Sequence, residues 1–206
     1  MIDSSEARTF PVVDLVFALI GRQIPEDYRY LLWRALQPLL PWMDEEPQAG
    51  IVGIGAVPTG TAAALLSHRA RLTLRLPRAR VDAAHRLAGM RIRIGSDEIE
   101  FGTARERPLQ PSPTLYAPLV VLDRGDEVGF GQVLEERLSA IGVSCSPILG
   151  RRRSFRLGSD AVDAYPVALH GCRPEQSLKL QANGLGSLRH LGCGVFIPHK
   201  KIENIE

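Results

Sequence analysis

Lysine is almost missing from this chain. It occurs only at positions 179, 200 and 201, so 22 of the 25 basic residues are arginine. A guanidinium binds phosphate through a planar fork and stacks on bases, so the bias favours anion or nucleic-acid contact, although a GC-rich genome raises arginine as well. Cysteine is scarce: Cys145, Cys172 and Cys193 are too few and too scattered for a disulfide scaffold, and read as small buried hydrophobes in a reducing compartment. Long apolar runs are lacking too. Val12 to Ile20 is interrupted by Asp14 and falls far short of the roughly 20 residues of a membrane span. The opening MIDSSEARTF has no apolar stretch of the signal-peptide kind. These absences predict a cytoplasmic protein without membrane contact. With 45% apolar and 23% charged residues over 206 positions, one substantial domain or two compact ones can bury a core.

The net charge of +2 hides a strong segregation. Residues 67–93 hold eight arginines and one acid, and residues 150–201 hold nine bases and three acids, while the remaining segments are acidic. Two basic islands are what a localised polyanion site looks like from sequence. Arg151, Arg152, Arg153 and Arg156 form the tightest cluster, and no acid lies between Glu136 and Asp160 to pair with them locally. A solvated strand or loop face is the plain alternative.

Periodicity predicts an α+β chain. Phe10 to Ile20 reads as a buried strand, and Pro25, Glu26 and Asp27 open a helix whose apolar stripe is Leu31, Leu32, Ala35, Leu36 and Leu39. Gly50 to Val57 reads as a short strand. Arg69 to Leu76 alternates strictly, with Arg69, Arg71, Thr73 and Arg75 on an open face. A short helix over 81–88 and a hairpin over 90–101 complete β-α-β-β-α-β, the ferredoxin-like order. Pro108, Pro111, Pro113 and Pro118 suggest a linker. The pattern then restarts with a strand over 116–123, a helix over 127–141 and three short strands. A brief helical turn at 177–181 and a closing strand over 192–197 follow. The expectation is two tandem ferredoxin-like (RRM-like) domains, 1–104 and 119–206, joined by a Pro-rich linker over 105–118. The second has a degraded second helix and a glycine-rich loop.

That loop, NGLGSLRHLGCGVFIPHK over 183–200, is the densest motif. Its glycines let a backbone approach phosphate closely, and Arg189 and His190 sit between them. A dinucleotide fingerprint fails here because Arg189 stands where the third glycine belongs, and at Gly53 and Gly55 because Pro58 does. His170, Cys172, His190, Cys193 and His199 lack metal-ligand spacing, so no metal or other cofactor is expected.

Three segments carry a family resemblance: VDLVFALIGRQIPEDYRYLLWRAL (13–36), RARLTLRLPRARVDAAHRLAGMRIRIG (69–95) and SLKLQANGLGSLRHLGCGVFIPHK (177–200). Through them the chain resembles the CRISPR repeat-processing endoribonucleases of the RAMP superfamily, in the subgroup associated with type I Myxan systems. The resemblance implies binding of a CRISPR repeat RNA hairpin and metal-independent cleavage by a ribose 2′-hydroxyl. It further implies handover to a CRISPR effector complex, whose other subunits become candidate partners. A catalytically weak or inactive hairpin-binding subunit is the alternative, and a protein–protein adaptor a third reading.

Where the resemblance leads one to expect a histidine, after Pro25, Glu26 and Asp27, this chain has Tyr28, and Asp44 replaces a second histidine. A phenol is a poor base at neutral pH but can donate or orient. The candidate catalytic residues are therefore Tyr28 and, entering the Arg-rich strand, His68. Candidate RNA-binding residues are Arg151, Arg152, Arg153 and Arg156 for the stem, with Gly184, Gly186, Arg189, His190 and Gly192 packing or contacting RNA at the glycine loop.

Overall fold

The computed structural model describes residues 11–122 and 126–199. The first half runs β1 (Val12–Ile20), β2 (Gln23–Pro25), α1 (Arg29–Leu36), β3 (Gly50–Ile54), β4 (Val57–Pro58), β5 (Ala63–Leu65), β6 (Arg71–Pro77), α2 (Val81–His85), β7 (Arg91–Ile94) and β8 (Asp97–Pro108). The second runs β9 (Thr114–Val120), α3 (Glu127–Ala140), β10 (Ser146–Leu149), β11 (Arg153–Leu157), β12 (Asp160–His170), α4 (Pro174–Asn183) and β13 (Ile197–Pro198). The fold is mixed α+β. The first sheet has the order β3-β6-β1-β8-β7, all neighbours antiparallel, and the second β10-β12-β9-β13 with β11 also on β12. The short strands β2, β5 and β4 form a third sheet that the sequence reading lacks.

Alternation in β1 divides its side chains. Val13, Leu15, Phe17 and Leu19 enter the main core, where α1 adds Leu32, Trp33 and Leu36. Helix α1 begins later than expected, because Pro25 ends β2 and Glu26-Asp27 form the turn, leaving Leu31 at the surface. The same core takes in Leu119, Phe155, Ala164, Leu191 and Cys193, so the two halves share apolar packing. A separate core in the second half forms around Phe130, Leu134, Leu138, Val167 and Phe196.

The other face of β1 gives the largest departure from the sequence reading. Arg75 of β6 was expected on an open face, yet it is completely buried. Its Nε and Nη2 donate to the Asp14 carboxylate at 2.8 and 3.2 Å, and its Nη1 donates to the Gln181 and Phe196 carbonyls. The second half covers this end of the sheet, and alternation within one strand carries no information about a covering element.

Three further expectations are corrected. The 177–181 turn is a full helix over Pro174–Asn183, started by Pro174 at its first position and by the Gln176 side chain accepting from the Arg173 N–H. The proposed linker is mostly strand: β8 continues to Pro108 and β9 starts at Thr114, leaving a five-residue connector. Cys145 and Cys172 form a disulfide (Cα–Cα 4.9 Å), because the pairing of Ser146 with His170 brings their neighbours together. Among the described residues no helix is long and apolar enough to cross a membrane.

Candidate nucleic-acid interface

Tyr28 stands at the N-cap of α1, only 8% exposed. Its hydroxyl accepts the Ile54 N–H at 2.9 Å at the end of β3, which holds the side chain in place. A phenol oxygen that accepts one such bond keeps its own proton to donate. The next residue, Arg29, lies 5.6 Å from the Tyr28 ring centroid and donates to the Leu191 carbonyl in the glycine loop at 3.2 Å.

Tyr28 and Arg29 line a cleft of about 390 Å³ with Gly53, Gly55, Arg69, Arg71, Thr73 and Pro118. Arg71 also borders a smaller depression of about 150 Å³ on the first sheet, with Val16, Ala18, Thr103 and Arg105. On its other side, Arg29 and Pro118 also border a cleft of about 850 Å³ lined by Asp27, Tyr30, Arg153, Ser154 and Arg156. The shared residues make the three clefts neighbours, two of them lined from both halves and the smallest from the first half alone. Six arginines border this set of clefts, which together form the candidate groove: Arg29, Arg69, Arg71, Arg105, Arg153 and Arg156. Both basic islands therefore contribute, although they lie some 60 residues or more apart in sequence.

Each arginine of the second island has its own surroundings. Arg153 and Arg156 line the cleft, and the Arg156 backbone N–H donates to Asp27 at 3.2 Å. Arg152 pairs with Asp163 at 3.3 Å, a partner on the adjacent strand that inspection of the local sequence misses. Arg151 is exposed. His68 is exposed in the turn before β6, where its carbonyl accepts from Arg71. None of the five histidines lines the Tyr28 cleft.

The glycine loop wraps onto the end of β9, with Ser187 N–H on the Val121 carbonyl and Gly194 N–H on the Leu119 carbonyl. Gly184 has φ +65°, and a Cβ there would lie 1.6 Å from Arg189 Nη1. Gly186 is exposed, and Gly192 leaves room for the Arg29 guanidinium, 2.4 Å from where its Cβ would be. The N–H groups of Gly184 and Gly192 are spent on the carbonyls of Leu180 and Arg189. Arg189 is buried, donating to the carbonyls of Ala49, Gln48 and Ala182, with Nη1 unpartnered. Burial, helped by the charge of Arg75, lowers its pKa to about 10. This arginine thus fastens the loop to the segment just before β3 and to α4.

His190 is half-buried against Trp33 (ring centroids 4.9 Å apart), with Nδ1 3.8 Å from Asp44. Burial lowers its pKa and Asp44 opposes the shift. Burial also raises the Cys193 thiol to about 12, Arg29 opposing, so it is not a nucleophile at neutral pH.

The architecture defines the class of protein first. It is similar to a solved CRISPR associated protein Cas6 (TM-score 0.64, 10% identity, 92% of this chain and 100% of that one). It is similar also to a RAMP protein described as binding different RNA substrates (TM-score 0.64, 11% identity, 91% and 100%). A Cas6-related protein from Pyrococcus furiosus is a third (TM-score 0.59, 13% identity, 92% and 99%). The fold is of the RAMP type. The sequence then gives the family: the Cas6 Crispr family model matches residues 13–201. The CRISPR-associated endonuclease Cas6 of Myxococcus xanthus (strain DK1622) is 32% identical over 195 residues, 94% of this chain and 84% of that one. The chain belongs to the Cas6 family of CRISPR-associated endonucleases.

Proposed function

We propose that this protein binds the repeat hairpin of precursor CRISPR RNA and cleaves it without a metal. A ribose 2′-hydroxyl attacks the adjacent phosphate in line, leaving a 2′,3′-cyclic phosphate on one product and a 5′-hydroxyl on the other. Family membership supports the reading, and the observation that carries it is the groove. Its three neighbouring clefts are bordered by Tyr28, six arginines and the open face of a sheet. Strand order in the first sheet, β3-β6-β1-β8, supports the ferredoxin-like reading of the first half, and we read the second half as a further such unit that begins with β9.

In this mechanism Arg29 neutralises charge on the phosphorane, being beside Tyr28 and anchored by the Leu191 carbonyl. The attacking 2′-hydroxyl releases its proton to solvent while Tyr28, whose O–H stays free to donate beside the Ile54 N–H it accepts, protonates the departing 5′ oxygen and is itself reprotonated from solvent. Arg153 and Arg156 hold stem phosphates, so that the scissile linkage is kept in line. The glycine loop contributes by fixing Arg29 and by presenting Gly186 at the surface, with His190 half-buried against Trp33.

Single-turnover cleavage of the cognate repeat RNA tests this. Cutting should persist in excess EDTA and stop when the ribose 5′ of the cut is 2′-deoxy. Product from the deoxy RNA would overturn the mechanism, and tight binding without cutting would leave a hairpin-binding subunit.

A further inference from the structure

Two carboxylates stand in a cleft that three arginines, Arg29, Arg153 and Arg156, also line. Glu26 and Asp27, in the turn before α1, line the 850 Å³ cleft with Tyr30, Leu31, Arg153 and Arg156. Acids there repel a phosphate backbone and lower the groove's affinity, unless they meet donors on the ligand. Asp27 is occupied by the Arg156 N–H. Glu26 uses its backbone N–H on the Ala62 carbonyl, and its carboxylate has no hydrogen-bond or ion-pair partner among the described residues. The cleft also offers what a single base needs. Tyr30 presents a half-buried ring, Leu31 is 36% exposed, and Gly158 lies against the Tyr30 hydroxyl, where a Cβ would be 3.5 Å away. Arg153 and Arg156 line the same cleft and are available to the phosphates flanking a splayed-out nucleotide.

Among the four bases only guanine places two donors, N1–H and N2–H, side by side on its Watson–Crick edge, matching the two oxygens of a carboxylate. Adenine and cytosine offer a single amino group beside an acceptor that would face the anion. Uracil's one N–H lies between two carbonyls. We propose that this cleft seats one unpaired guanine of the bound RNA, its ring stacked on Tyr30, its N1–H and N2–H on the Glu26 carboxylate and its flanking phosphates on Arg153 and Arg156. The inference rests on the RNA reading of the groove. It adds a base preference at a position outside the Tyr28 cleft.

The test uses the full chain and fluorescein-labelled hexauridylates carrying one central G, inosine, A or C, read by fluorescence anisotropy in low salt. The central-G probe should bind about fivefold or more tighter than the A and C probes, the range of one well-made bidentate base contact. Inosine, which lacks the N2 amine, should lose most of that advantage. Glu26→Gln should abolish the preference and, by removing a charge that repels phosphate, raise the A and C affinities somewhat, with the fold intact because Glu26 is exposed. Tyr30→Ala should weaken all four probes together. Equal affinities for G, A and C in the native protein, or a G preference that survives Glu26→Gln, overturn the guanine site alone. Failure of the native protein to bind any probe overturns the groove reading with it.

Discussion

Arg75 and Asp14 face each other across β6 and β1 as a buried two-point ion pair, 2.8 Å between Nε and Oδ1, and the same guanidinium reaches two carbonyls of the second half. Arg107, more than half exposed, joins Asp14 from β8 at 3.1 Å. The ion pair therefore ties three strands of the first sheet to α4 and to the segment before β13. Removing one partner of such a pair leaves the other charged and unsolvated, which costs more than the pair itself contributes.

Arg75→Met should accordingly destabilise the fold by about 3 kcal/mol, the low end of the usual 3–5 because Arg107 still serves Asp14. The midpoint of urea unfolding measures it. A midpoint unchanged within error would mean the pair is dispensable to the joint between the halves.

Replacing Tyr28 by Phe removes the proposed donor and strands the Ile54 N–H. Cleavage in single turnover should fall by about 10²-fold or more, with a stability loss of about 1–2 kcal/mol. Hairpin affinity should hold, since the arginines are untouched. If His68→Ala abolishes cutting while Tyr28→Phe does not, the reacting phosphate lies by the turn before β6.

Arg153 and Arg152 are neighbours with different company: one lines the cleft and the other pairs with Asp163. Arg153→Ala should flatten the salt dependence of hairpin binding by about one phosphate contact, on the order of 0.9 in the log–log slope if duplex RNA follows B-form DNA. Arg152→Ala should change it less. Equal slopes for the two variants would place the RNA elsewhere.

Gly184→Ala would drive a Cβ into Arg189 Nη1 and to 2.4 Å from the Gly194 carbonyl, at a φ of +65°. Gly142, with φ +68° and nothing within 4 Å of its would-be Cβ, isolates the backbone cost alone, about 1 kcal/mol. The melting temperature of Gly184→Ala should drop clearly further than that of Gly142→Ala.

His190 has a pKa lowered by burial, so the folded state binds its proton less readily than the unfolded chain. Its contribution to stability is present above the ordinary imidazole value near 6.5 and is lost as pH falls through the lower folded value. His190→Gln should flatten this acid-side slope. Asp44→Asn removes the opposing charge and should lower the His190 midpoint further, read from the ring proton shifts by NMR.

Much of this molecule follows from residue pattern. The apolar run from Val12 to Ile20 marks β1 as a buried strand, and the segregated arginines announce two basic islands, because both are properties of neighbours along the chain. The glycine segment marks itself through composition in the same way.

Relationships between distant residues belong to the tertiary structure alone. Arg69 and Arg75 belong to the same basic strand region, and the sequence assigns both to one face. The fold leaves the first in a cleft and buries the second, because the second half covers one end of the sheet only. Arg189 reads as a phosphate ligand and becomes a fastener, since its burial depends on the Gln48 and Ala49 carbonyls about 140 residues away. Arg29, unmarked in the sequence, acquires its position beside Tyr28 and Leu191 only when α1 meets the loop. Side-chain periodicity reports on which face of an element is covered when the covering is uniform. What covers it, and where that cover stops, is decided by contacts no local pattern encodes.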